Sequence, residues 1–154
     1  MSSEAKAAIT LEIRSRLDQV RFIRAAMAGI LGHLAVVEAD IQALELAVTE
    51  VVNNCIEHGY GGLEDGQIKV QINFRGSEVQ IDVIDHAPPF PEKERYRLLS
   101  EGMPVEDPSE EWPIRGHGLQ IVRQIVDSVE LRRDSEKNVL TLSKNVALTS
   151  GSAS

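Results

Sequence analysis

Glu50 and Asn54 stand four residues apart in AVTEVVNNCIEHGY, residues 47–60. On a helix that spacing puts both side chains on one face, a turn apart. A carboxylate and an amide so placed can hold a Mg²⁺ oxygen shell and a water or hydroxyl side by side. Mg²⁺ takes few protein oxygens and completes its octahedron with phosphates and waters. A solvated polar face that happens to contain Glu and Asn reads the same way. Asp85 ends an alternating run, VQIDVID, and is followed by HAPPF. A carboxylate at a strand end can accept a hydrogen bond from an exocyclic amine such as that of adenine; it can equally start the turn into the prolines. In RGHGLQIV, residues 115–122, Gly116 and Gly118 precede an amphipathic stretch. The unpaired N–H groups of a helix's first turn, helped by its dipole, accept phosphate oxygens. Without a third glycine or a preceding strand this is no dinucleotide fingerprint, and the P-loop pattern is absent.

The remaining residues of the first stretch have plainer readings. His58 and Gly59 read as a helix end with its glycine stop. Cys55 reads as a small buried side chain on an apolar helix face rather than a reactive thiol.

These residues need a scaffold, and composition bounds it. The chain has 154 residues, 42% hydrophobic, with one Trp, two Tyr and three Phe. One domain with a core of Leu, Ile, Val and Ala fits. A net charge of −8 argues against a broad nucleic-acid or anionic-membrane footprint, which needs clustered Lys and Arg. The single cysteine excludes an internal disulfide and a multi-cysteine metal site. With neither a signal-peptide pattern nor a long apolar run, the expected setting is reducing and cytoplasmic.

Along the chain, residues 9–13 alternate as a short strand. Residues 16–31 carry Leu17, Val20, Ile23, Met27, Ile30 and Leu31 at helical spacing, with Arg21 and Arg24 on a neighbouring face. Residues 38–57 form a longer helical pattern, closed by GYGGLEDGQ. Residues 68–74 and 79–85 alternate as strands joined through RGSE in a hairpin. Residues 94–115 read as an acidic, proline-containing segment, with Trp112 as a packing anchor. A helix through Leu119, Ile121, Val122, Ile125 and Val126 follows, then strands in VELRRD and NVLTLSK. The expected fold is α/β, a two-layer sandwich of a mostly antiparallel, mixed sheet with helices on one face. Residues 9–145 form one domain in this reading, with flexible ends at 1–8 and 146–154.

The order of these motifs, Glu-x-x-x-Asn on a helix, Asp after a strand, a loop, then Gly-x-Gly into a helix, resembles the GHKL (Bergerat-fold) ATP-binding superfamily. Within it the chain looks most like the anti-sigma-factor serine kinases of the RsbW and SpoIIAB type. AVTEVVNNCIEHGY, DHAPPF and GHGLQIVRQIVDSVEL correspond to that group's three boxes. The resemblance implies Glu50 as general base toward a partner's serine, Asn54 as the Mg²⁺ holder and Asp85 as the reader of adenine. It places Ala87, Arg115, Gly116, Gly118 and Leu119 around ATP. The second box usually reads Asp-x-Gly, whereas this chain has Asp85-His86-Ala87, so a methyl intrudes where the purine approaches closely. Pro88 further restricts Ala87 to extended conformations. The resemblance also implies a homodimer that phosphorylates an anti-anti-sigma protein of the STAS fold and sequesters a sigma factor or another regulator, with Arg21 and Arg24 toward the partners. The alternative is a binding module that sequesters its partner by the same surface with weak or no nucleotide chemistry.

Overall fold

The computed structural model describes residues 7–90, 92, 93, 99 and 118–149. Five strands, β1 (Ala7–Arg14), β2 (Gln67–Arg75), β3 (Glu78–Asp85), β4 (Ser128–Asp134) and β5 (Lys137–Asn145), form one sheet in the order β1-β2-β3-β5-β4. Every adjacent pair is antiparallel, so the sheet contains no parallel pair among the described residues, where a mixed sheet was expected. The helices are α1 (Val20–His33), α2 (Glu38–Asn54) and α3 (Gly118–Ile125). Helix α2 is central, packing against both α1 and α3.

Period-two alternation explains the layering. Ile68, Val70, Ile72 and Phe74 of β2 and Val79, Ile81 and Val83 of β3 are buried, each flanked by less buried residues. In antiparallel register Leu11, Val70, Val83, Leu140 and Leu131 form one row across the sheet, and Ile9, Ile72, Ile81, Leu142 and Val129 another. Ile23, Met27 and Leu31 of α1 and Leu44, Val48 and Val51 of α2 complete the same core. The β2–β3 hairpin turns at Gly76, whose φ of 59° is costly for a residue with a Cβ.

Local details differ from the sequence expectation in physically informative ways. The first helix opens with a 3-10 turn at Leu17–Gln19 before α1 begins. Helix α2 does not run regularly to residue 57: it stops at Asn54 and widens into a π-helical turn over Cys55–Gly59, closed by a bond of 2.8 Å from the Tyr60 N–H to the Cys55 carbonyl. Residues 146–149, read as the start of a flexible tail, are pinned. The Val146 N–H donates to Ser77, Val37 donates to Ala147, and Thr149 donates to Ala35. Asp40, in the first turn of α2, accepts the Ala147 N–H at 2.7 Å. Trp112, Arg115 and Gly116 lie outside the described residues.

Candidate nucleotide site

The site forms where the π-helical turn meets the end of the sheet. β3 ends at Asp85, which pairs with Ile68 of β2 on one side and with Asn138 of β5 on the other; Asn138 pairs in turn with Arg133 of β4. Across β3, β5 and β4 this last row is polar, whereas Ile68 and Ile13 continue it as apolar residues on β2 and β1. Asp85 and Asn138 are each only 5% exposed, so their polar groups must be satisfied within the chain or by a ligand.

The bonds observed around Asp85 meet that requirement. Asp85 Oδ1 accepts the Ala87 N–H and an Asn138 Nδ2–H, both at 2.9 Å. Asp85 Oδ2 accepts the Cys55 thiol at 3.1 Å. Asn138 Nδ2 also donates to the carbonyls of Ala87 and Pro88 at 3.1 and 3.0 Å. Arg133 Nη1 donates to the Ala87 carbonyl at 2.9 Å and to Asn138 Oδ1 at 3.0 Å. Burial pushes the Cys55 thiol well above its ordinary pKa, and the Asp85 charge and hydrogen bond push it the same way. Cys55 is thus the buried, protonated side chain expected, and it also donates to Asp85.

Beside this network lies a cavity of about 120 Å³. Asn54, Cys55, Asp85 and Asn138 supply polar atoms to its lining, and Pro88, Pro89 and Phe90 supply apolar surface. His58 and Gly59 border it from the π-helical turn. A buried carboxylate beside flat apolar groups suits a planar ring that carries an amine.

Ala87 is placed differently from expectation. It does not line the cavity; it is buried, and its methyl meets Gly59, where a Cβ would lie only 3.1 Å from the Ala87 Cβ. The missing side chain of Gly59 makes room for the methyl that replaces the usual glycine of the second box. Ala87 acts on the site through its N–H and its carbonyl.

Tyr60 ties the turn to the sheet. Its hydroxyl donates to the Gln67 carbonyl at 2.6 Å and accepts the His86 N–H at 2.8 Å. Partial burial, which outweighs the other influences, raises its pKa.

Glu50 lies one turn before Asn54 on α2 and meets α3. A Cβ on Gly118 would collide with the Glu50 carboxylate, so the start of α3 rests directly against that side chain. Leu119 is buried in the core and does not line the cavity. The structure thus brings Asn54 and Asp85 to one cavity and Glu50 to the N-terminus of α3. Arg21 and Arg24 are exposed on α1, remote in role from this network. The Arg21 guanidinium sits 5.0 Å from the Phe22 ring centroid, and Arg24 Nε lies 3.9 Å from Glu45 Oε1.

The sequence reading missed Asn138, Arg133 and Tyr60. An Asn opening a strand carries no motif, and only the β3–β5–β4 register discloses its place beside Asp85. For Mg²⁺ the donor chemistry is decisive. No group of three His, Cys, Asp or Glu side chains able to hold a metal occurs among the described residues. One amide oxygen from Asn54 at the cavity fits a Mg²⁺ that arrives with phosphate oxygens and keeps its waters. No helix of the described residues is long and apolar enough to cross a membrane.

Residues 13–144 match the family model described as the histidine kinase-like ATPase domain. Among curated proteins, the chain is 27% identical over 132 residues to the serine-protein kinase RsbW of Listeria innocua, covering 86% of this chain and 83% of the relative. It is 26% identical to RsbW of Bacillus thuringiensis, with 86% and 81% covered. Among solved structures, it is similar to the crystal structure of the RsbU and RsbW domains of a Mycobacterium tuberculosis protein, with a TM-score of 0.64 and 19% identity. That match covers 92% of this chain and 33% of the other, so the chain spans a third of that structure. The catalytic domain of the histidine kinase ThkA matches with a TM-score of 0.53 at 18% identity, covering 89% of this chain and 95% of that domain.

Proposed function

Because this chain belongs to the family of histidine kinase-like ATPase domains, we propose that it is an ATP-dependent protein-serine kinase that also sequesters a regulator. The observation that carries this reading is the convergence of the three boxes. Asp85 and Asn54 share one cavity, while Glu50, a turn away on the same helix, abuts Gly118 at the opening of α3.

In this reading ATP is the substrate, with its adenine amine donating to Asp85 and its ring against Pro88, Pro89 and Phe90. Asn54 holds Mg²⁺, which supplies charge neutralisation at the phosphates when bound. Gly118 at the start of α3 and, by the resemblance, Gly116 and Arg115 are assigned to the phosphates, which a helix's first N–H groups and a guanidinium attract. Glu50 takes the proton of the partner's serine hydroxyl as its oxygen bonds to the γ-phosphorus. The bond from that phosphorus to the bridging oxygen breaks, and ADP leaves. Phosphoryl transfer depends chiefly on such positioning and charge neutralisation.

The partners belong to the same proposal: an anti-anti-sigma protein of the STAS fold as phosphoacceptor, and a sigma factor or another regulator as the sequestered target. Arg21 and Arg24 contact them from the exposed side of α1, and the working unit is a homodimer. The RsbW relatives are named as serine-protein kinases, which supports the reading. The accommodation of Ala87 by Gly59 supports it over a binding module without nucleotide chemistry.

The test is calorimetry of ATP with Mg²⁺ on wild type, Asn54→Ala and Glu50→Ala, with labelled-phosphate transfer to a STAS-type protein followed in the same samples. Asn54→Ala is expected to lose Mg²⁺-dependent binding, and Glu50→Ala to bind without transferring. A wild type that binds the partner but neither binds ATP nor transfers phosphate would establish the binding-module reading instead.

A further inference from the structure

Asp85 is the natural acceptor for a purine amine, yet a carboxylate discriminates only if its spare lone pair is held still. Its Oδ1 already accepts two hydrogen bonds, from Ala87 and Asn138, which fill that oxygen's in-plane sites. Among the described residues its Oδ2 accepts only the Cys55 thiol, leaving one acceptor site open. The open site is therefore assigned to Oδ2 by the donors that occupy Oδ1.

Asn138 can play this part only if its amide is turned the right way. The exposed Arg133 settles the orientation: its Nη1 donates to Asn138 Oδ1, so the Asn138 NH₂ must face Asp85 and the carbonyls of Ala87 and Pro88. With the amide reversed, its oxygen would face the Asp85 carboxylate and its NH₂ would face the guanidinium, both repulsive. Two N–H bonds and three acceptors also leave no spare donor on Asn138 for a ligand.

We propose that Asn138, oriented by Arg133, is the specificity-determining positioning residue of the nucleotide pocket. By tying Asp85 Oδ1 it presents Oδ2 as a fixed acceptor and selects 6-aminopurines over 6-oxopurines. The proposal rests on the reading of the cavity as a nucleotide site. A 6-oxopurine brings its O6 acceptor to the open acceptor site of the buried Oδ2, so neither gains a partner there, a mismatch that buried polar sites reject strongly.

The experiment compares dissociation constants for ATP and for its 6-oxo analogue, inosine triphosphate, on wild type, Asn138→Ala and Arg133→Leu. Wild type is expected to favour ATP by about 100-fold, well within the roughly 10⁴–10⁵ that a buried hydrogen-bonding site can reach. Asn138→Ala should weaken ATP about tenfold and inosine triphosphate little, so that most of the ratio is lost. Arg133→Leu, at an exposed position and with the Asn138 amide itself retained, should lower the ratio in the same direction. If Asn138 merely braces the 86–90 segment, both nucleotides weaken equally and the ratio stays put in both variants, which overturns the proposal while leaving the pocket's reading intact. A wild type that binds both nucleotides alike overturns the pocket's reading and this inference with it.

Discussion

The contact between Ala87 and Gly59 makes a quantitative claim: the two positions share room for one methyl group. Gly59→Ala alone puts a Cβ 3.1 Å from the Ala87 Cβ, well inside ordinary contact. Ala87 cannot easily retreat, because its N–H is bonded to Asp85 and its carbonyl to Arg133 and Asn138. Overpacking of this kind costs about 1–3 kcal/mol. Gly59 has no positive φ, so the alanine itself is unstrained and returns about 0.4–1 kcal/mol by restricting the unfolded chain. The net expectation for Gly59→Ala is a loss of about 1 kcal/mol, or about 0.5 M in the urea midpoint at a slope of about 2 kcal/mol/M. Ala87→Gly alone loses a buried methyl, about 0.8 kcal/mol, and gains unfolded-state freedom, for a total of about 1.5 kcal/mol. In the double variant the methyl has moved from one side of the contact to the other. Adding Gly59→Ala to Ala87→Gly should then stabilise by about 0.7 kcal/mol, giving a coupling of about 1.7 kcal/mol. Urea titrations of the four proteins measure this directly. Additivity within about 0.5 kcal/mol would refute the shared contact and return Ala87 to the role expected from the sequence, an intrusion on the nucleotide.

Three further outcomes follow from the same geometry. Gly118→Ala should displace the Glu50 carboxylate and lower phosphate transfer about 100-fold, while ATP affinity measured by calorimetry changes far less, since misplacement by an ångström suffices for that loss. Because burial raises the Cys55 pKa, the unfolded chain releases the thiol proton above pH about 8.5 while the folded chain keeps it. The contribution is complete below that pH and is lost as pH rises toward the folded pKa. Melting temperatures between pH 7 and 10 should therefore fall more steeply for wild type than for Cys55→Ala. Arg24→Ala should leave thermal stability nearly unchanged, since its ion pair with Glu45 is long and its side chain 59% exposed, yet weaken capture of the partner in a binding assay. Unchanged capture would assign Arg24 to solubility alone.

The scaffold was legible in the sequence wherever one periodicity held over a whole element. β2 and β3 alternate without interruption, and the expected strands 68–74 and 79–85 fall within the observed ones. The single helix-rich face, the hairpin through Gly76 and the resemblance to the histidine kinase-like ATPase family are likewise borne out. Less legible was where regular geometry gives way. The apolar spacing of residues 38–57 cannot distinguish an α-helix from one that widens after Asn54, because Cys55 and Ile56 are buried in either case. The anchoring of residues 146–149 was hidden for another reason. Their attachment is made through backbone bonds to Ala35, Val37 and Ser77 and one Asp40 carboxylate, and backbone partners leave no trace in composition.

The same distinction explains the site. Glu50, Asn54 and Asp85 could be named in advance because their types and spacing are unusual for the elements that bear them. What holds them could not be, since it depends on register and on one turn's width. The wide turn carries Gly59 against Ala87 and lets the Tyr60 hydroxyl bridge Gln67 at the start of β2 and His86 just beyond β3. The antiparallel register then sets Asn138 and Arg133 in the row of Asp85. Each link is weak as a sequence signal because Tyr, Asn and Arg occur in many places for many reasons. Together they fix a buried carboxylate in the lining of the cavity without a disulfide to brace it. A chain with one cysteine and few aromatic residues can build such a site only by distributing the constraint over hydrogen bonds from three strands and a turn. Substitution at the supporting positions should therefore change what the pocket selects before it changes whether the domain folds.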